Sequence, residues 1–149
     1  MIKEENNSVQ LREMIRILER KLGVLEEYQV SCCGGITMAQ CHALVEIGRA
    51  KSISLNELAE LLNLESSSMS RTVNNLVNSN LVKRDIDPMD RRYVTISLTV
   101  NGSKMFKDIE ENMNCYFTKI YDSLPVDKAN QVMESLQLLI NAIGKNVCC

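Results

Sequence analysis

The stretch ISLNELAELLNLESSSMSRTVNNLVNSNLVKRDIDPMDRRYVTISLTVNG, residues 53–102, decides the fold. It opens with Ser54 followed three residues later by Glu57, a capping box for a short helix over 54–63. Leu55, Leu58, Ala59, Leu61 and Leu62 supply that helix's apolar side. After Asn63-Leu64 the spacing predicts a second helix, about 66–79, with Met69, Val73, Leu76 and Val77 on one stripe. The rest of its surface is Ser66, Ser67, Ser68, Ser70, Arg71, Asn74, Asn75 and Asn78. Leu81–Ile86 and Tyr93–Leu98 read as two strands, the latter alternating Val94, Ile96 and Leu98 against Thr95 and Ser97. Between them Asp87-Pro88-Met89-Asp90-Arg91-Arg92 makes a turn, with Pro fixing φ and Asp bonding the turn backbone.

Working outward, residues 9–28 are expected to be helical through Leu11, Met14 or Ile15, Leu18, Leu22 and Leu25. SCCGG at 31–35 stops that helix, and Ile36–Ile47 resumes helical periodicity with Thr37 as N-cap. Downstream, one helix is expected from about 100 to 122, capped by Thr99, with Met105, Ile109, Met113, Tyr116, Phe117 and Ile120 on its apolar side. Another is expected from about 126 to 144, with Val126, Ala129, Val132, Met133, Leu136, Leu139, Ile140 and Ile143 on its own. The fold class is therefore mainly α with a small β-hairpin. A winged helix-turn-helix at 36–99 is flanked by a helical dimerisation region at 1–35 and 100–149. The outer helices are too apolar to stand alone and need each other or a second copy of the chain.

Composition fits this organisation. With 149 residues, no Trp and only six Phe and Tyr together, the core must be built from Leu, Ile, Val and Met. Six glycines and two prolines leave long stretches free for helix. No apolar run is long enough to span a bilayer, and MIKEENNSVQ has no signal-peptide character, so a cytoplasmic chain without a membrane partner is expected. The formal charge of −2 excludes a uniformly basic coat. Residues 66–99 nevertheless carry five basic side chains against three acidic ones, and local sign is what steers a phosphate backbone.

The helix at 66–79 suits the major groove of duplex DNA. It has no carboxylate, its first turn offers Ser hydroxyls and backbone N–H groups to phosphate, and Arg71 can reach a guanine edge or a phosphate. A merely solvated face would favour Glu and Lys, which form helices better than Ser and Asn. Arg91 and Arg92 at the hairpin tip suit the negative potential of a narrow minor groove. Asp87 and Asp90 beside them would repel DNA if bare, so at least one is expected to hold an arginine by a salt bridge. Little supports an enzyme: one His, no Gly-rich phosphate loop, and no C-x-x-C at a helix start. A protein–protein adaptor using the winged region is the alternative of a third class.

These motifs together resemble the MarR family of bacterial repressors: the L-A-x-x-L helix, S-x-x-S-R-x-V-x-x-L at 67–76, L-V-x-R at 81–84, D-P-x-D-R-R at 87–92 and L-T-x-x-G at 98–102. The similarity spans about 36–110, and the flanking helices match by arrangement. Asn80 stands where many relatives have Gly, a turn position that Asn accommodates. The resemblance implies a homodimer joined by its terminal helices, reading a pseudo-palindromic operator with recognition helices roughly 34–36 Å apart. It implies major-groove contacts from Ser67, Ser68, Ser70, Arg71 and Asn74, and a minor-groove contact from Arg91 or Arg92.

Six cysteines remain: Cys32, Cys33, Cys41, Cys115, Cys148 and Cys149. Cys32, Cys33, Cys41 and His42 lie within eleven residues at the joint between the first helix and the winged region. In a cytoplasmic chain reduced thiols are expected rather than a disulfide framework. No cofactor is required, but thiolates select soft ions, so arsenic(III), Cu(I), Cd²⁺ or Zn²⁺ bound there could act as an inducer. The family's zinc-sensing branch draws its ligands from comparable places but uses several histidines. Having only His42, this chain points to a softer ion. Oxidation is the rival trigger, with Cys32 or Cys33 reacting and Cys41, Cys115 or a thiol of the other subunit resolving. The family's peroxide-sensing branch places its reactive Cys earlier, in the first helix, where this chain has none. Packing alone is the competing explanation for Cys41 and Cys115.

Overall fold

The computed structural model describes residues 2–32 and 35–145, with side chains at 7–23 and 35–144. The elements in chain order are α1 (Ile2–Cys32), α2 (Met38–Ala50), β1 (Ile53–Ser54), α3 (Leu55–Leu61), α4 (Ser66–Asn78), β2 (Val82–Ile86), β3 (Val94–Leu98), α5 (Val100–Asp122) and α6 (Ala129–Lys145). Residues 1–110 form one compact unit and 111–149 a second.

In the first unit the core is aliphatic, as the composition requires. Leu44 and Ile47 of α2, Leu58 of α3, Met69, Val73 and Leu76 of α4, and Ile96 of β3 are fully buried. Each such side chain contributes about 1.5–3 kcal/mol by leaving water. The caps expected at Thr37 and Ser54 are present. Thr37 Oγ1 accepts from Gln40 N at 3.2 Å while the Gln40 side chain accepts from Thr37 N. Ser54 and Glu57 exchange the same pair of bonds at the start of α3.

The sheet departs from the expected hairpin. It has three strands in the order β1-β3-β2, with Ile53 opposite Ile96 and Ser54 opposite Thr95. A two-residue strand carries no periodicity to read. It forms because Ile53 buries its side chain against the core while Ser54 goes on to cap α3. Leu61, expected inside, is exposed, because seven-residue α3 turns only Leu58 and Ala59 fully inward.

Two helix bounds also differ. The first helix extends well beyond 9–28, because its polar ends carry no hydrophobic signal yet contain nothing that stops a helix. The last begins at Ala129, not 126. Pro125 opens a turn in which Lys128 N and Ala129 N both donate to its carbonyl, leaving Val126 exposed instead of on the apolar side.

Around Asn80 the chain knots the start of the wing to the start of α5. Asn80 has φ 59°, a left-handed conformation that Asn tolerates better than most residues other than Gly. Its carbonyl accepts from Thr99 Oγ1 at 2.7 Å, the Leu81 carbonyl accepts from Thr99 N at 3.1 Å, and Gly102 N donates back to Thr99 Oγ1 at 3.0 Å. A Cβ on Gly102 would lie 1.8 Å from the Leu81 carbonyl oxygen. That position admits only glycine. Farther along α5, Glu110 accepts from Arg49 of α2 at 3.1 Å.

Each unit leaves an apolar stripe open. On α1, Leu11, Met14, Leu18 and Leu22 are all exposed, Met14 by 66%. On α6, Met133, Leu136, Ile140 and Ile143 recur at three- and four-residue spacing and are likewise exposed.

Candidate nucleic-acid interface

The exposed face of α4 is assembled as the sequence predicts. Met69, Val73 and Leu76 anchor the helix in the core, which turns Ser67, Ser68, Arg71 and Asn74 to the surface. Ser70, counted with them, is half-buried and sits at the edge of that face. Unlike α2 and α3, α4 has no side-chain cap: Glu65 occupies the N-cap position without bonding the helix. The backbone N–H groups of its first turn therefore remain open to an external acceptor at the positive end of the helix dipole. Arg71 has no ion pair or hydrogen bond among the described residues.

The wing answers which aspartate holds which arginine. Asp87 Oδ1 accepts from Met89 N at 2.8 Å and shapes the turn. Asp90 grips Arg92 in a fork: Nε to Oδ1 at 3.1 Å and Nη2 to Oδ2 at 3.1 Å, with Arg92 N also donating to Oδ1 at 3.0 Å. The guanidinium, followed by this backbone donor, holds the Asp90 carboxyl below the usual carboxylate range. Arg92 nevertheless keeps 89% of its side chain exposed, so it is oriented without being covered. Arg91 is exposed and has no recorded partner among the described residues.

Sequence reasoning missed Arg84. Its Nη2 donates to Asn74 Oδ1, joining β2 to the exposed face of α4. The L-V-x-R motif contained this residue, but strand alternation alone gives no hint that its head reaches a helix.

The sulfur ligands proposed from sequence are only partly placed. Cys41 is buried among the α2 core residues, while His42 beside it is exposed. Cys115 is exposed on the second-unit portion of α5. Cys33, Cys148, Cys149 and the Cys32 thiol lie outside the described residues. Among the described residues no group of three His, Cys, Asp or Glu could hold a metal. No helix among them is long and apolar enough to cross a membrane.

With this geometry in place, likeness to known proteins becomes specific. The MarR family model matches residues 36–94, the whole stretch from the approach to α2 into β3. Over those residues the chain is similar to the MarR family. It is similar to the HTH-type transcriptional regulator BilQ of Clostridium symbiosum (strain WAL-14163), 24% identical over 114 residues that cover 76% of this chain and 79% of that one. It also resembles the HTH-type transcriptional repressor MdtR of Bacillus subtilis (strain 168), 29% identical over 75 residues covering 50% and 48%. In fold it matches Streptococcus pneumoniae FabT in complex with DNA, with a TM-score of 0.82 at 19% identity, covering 91% of this chain and 96% of that one. The S. aureus MepR–DNA complex matches with a TM-score of 0.74 at 19% identity over 88% and 96%. The MarR family and these relatives are transcriptional regulators rather than enzymes, and the small three-stranded sheet with six helices is their winged-helix fold.

Proposed function

We propose that this chain is a MarR-family DNA-binding transcriptional repressor that acts as a homodimer and is released from its operator by a ligand or reaction at its cysteines. The observation that carries the DNA reading is the uncapped, carboxylate-free face of α4 lying in the same unit as an arginine that Asp90 presents to solvent. Open first-turn amides suit phosphate, Arg71 and Asn74 suit base edges, and a pre-oriented guanidinium loses little freedom on entering a minor groove. Because Asp90 orients it, Arg92 is the minor-groove residue, and Arg91 supplies a mobile positive charge to the backbone. That proteins of the same fold have been solved in complex with DNA supports the DNA reading. The exposed stripes of α1 and α6 support the dimer, since faces this apolar are seldom left to water.

Salt titration of duplex binding tests this directly. The logarithm of affinity should fall with the logarithm of salt at about −0.9 per phosphate neutralised, and Arg92→Ala should weaken binding without lowering the melting temperature. A salt-independent interaction, as an adaptor would show, sinks the reading.

For the trigger, the support is the sequence cluster of Cys32, Cys33 and Cys41 at the joint leading into α2. With one imidazole in the chain, a soft ion such as arsenic(III), Cu(I) or Cd²⁺ suits these thiolates better than Zn²⁺. Because Cys41 is buried, its recruitment would disturb the first turns of α2 and so the winged region behind it. Titrating a protein–DNA complex with these ions under reducing conditions, and separately with peroxide, distinguishes ligand from oxidation. Release by peroxide alone rejects the ion.

A further inference from the structure

Arg84 occupies an unexpected place in the wing. On β2, Val82, Arg84 and Ile86 point to one face, opposite Leu98, Ile96 and Val94 of β3. At the inner end of the strand Val82 is buried on this face, and so is Ile96 across from Arg84. An apolar residue at 84 would continue the pattern. Instead a long side chain runs out from beside the core, and its guanidinium donates to Asn74 Oδ1 on α4.

This contact settles the chemistry that Asn74 offers. A guanidinium only donates, so the atom it bonds must be the amide oxygen, and both Nδ2 hydrogens stay available. An uncommitted Asn in the major groove pairs with adenine by accepting from N6 and donating to N7. Here the acceptor half is already engaged by a cation. What remains is a cluster of donors: Asn74 Nδ2, the unused N–H groups of Arg84, and Arg71 one turn earlier on the same helix face. Their natural counterpart is an edge with two adjacent acceptors and no donor, and in the major groove that is O6 and N7 of guanine.

We propose that Arg84 is a positioning residue for specificity, holding Asn74 as a donor so that this part of α4 reads guanine in preference to adenine. The proposal rests on the DNA-binding reading above. A phosphate oxygen would satisfy the same donors, but it would add affinity without base preference.

The test uses the full chain and a randomised duplex library, followed by affinity measurements in which each selected G·C pair is replaced by A·T. For the native chain, one position per half-site should prefer guanine by roughly ten- to a hundredfold, the range for one good bidentate base contact. Arg84→Met should erase that preference or turn it toward adenine, leaving the other positions unchanged. Asn74→Asp, which still accepts from Arg84 but has lost the Nδ2 donors, should erase it too and serves if Arg84→Met does not fold. Uniform weakening of all duplexes with base preference intact would overturn the proposal alone and assign Arg84 to phosphate. Failure of the native chain to enrich any duplex would overturn the DNA-binding reading and the proposal together.

Discussion

Replacing Gly102 by Ala probes the joint that hangs the wing on α5. The new Cβ would stand 1.8 Å from the Leu81 carbonyl oxygen, against the 3.0 Å below which such contacts essentially never occur. The first turn of α5 and the Asn80–Leu81 backbone must therefore separate by about 1.2 Å, the difference between those two distances. Both sides are backbone, so no side-chain rotation relieves the clash. Two hydrogen bonds bridge this gap, Thr99 N to Leu81 O and Thr99 Oγ1 to Asn80 O. At about 1 kcal/mol each their loss comes to about 2 kcal/mol. The better helix propensity of Ala returns about 1 kcal/mol. A net loss of about 1 kcal/mol is expected, which lowers the melting temperature by roughly 2–4 °C for a chain of this size. The assay is chemical and thermal denaturation at fixed protein concentration. Gly23→Ala serves as control, since a Cβ there meets nothing within 4 Å. If Gly102→Ala melts with the native chain, the close approach does not govern the joint and the argument fails.

Asn80→Val should cost about 1–2 kcal/mol, since a β-branched side chain resists the left-handed conformation, whereas Asn80→Gly should leave the melt nearly unchanged. Asp90→Asn should weaken duplex binding roughly two- to tenfold by loosening Arg92, read by fluorescence anisotropy. Because Arg92 holds the Asp90 carboxyl below its ordinary range, the pairing is complete above that range and is lost only as pH falls through the lowered value. The deficit of Asp90→Asn should accordingly be constant between about pH 5 and 8, and a step in that interval would contradict the assignment. Leu136→Glu combined with Ile140→Glu should give a monomer in sedimentation velocity; an unchanged dimer would exclude the α6 stripe from the interface.

Patterns confined to neighbouring residues were legible in the chain itself. The capping residues Thr37, Ser54 and Thr99, the order of helices and wing strands, the aliphatic core and the acid-free helix at 66–79 follow from spacing and residue chemistry. These depend on bonds between residues three or four apart, or on one face of one element. Asn80 and the glycine at 102 were visible as motif positions, although not the carbonyl that makes 102 intolerant of a side chain.

Tertiary structure decided what involves partners distant in sequence. β1 is too short to announce itself and exists because Ile53 meets Ile96, 43 residues away by their numbering. The turn let Asp90 and not Asp87 take Arg92, although both aspartates stood close enough along the chain. Arg84 looked like an ordinary strand residue until the sheet laid it beside α4 and gave its guanidinium to Asn74. Residue types and periodicity state what each side chain can donate, accept or bury; which one it meets depends on how elements cross, and that is a property of the folded chain.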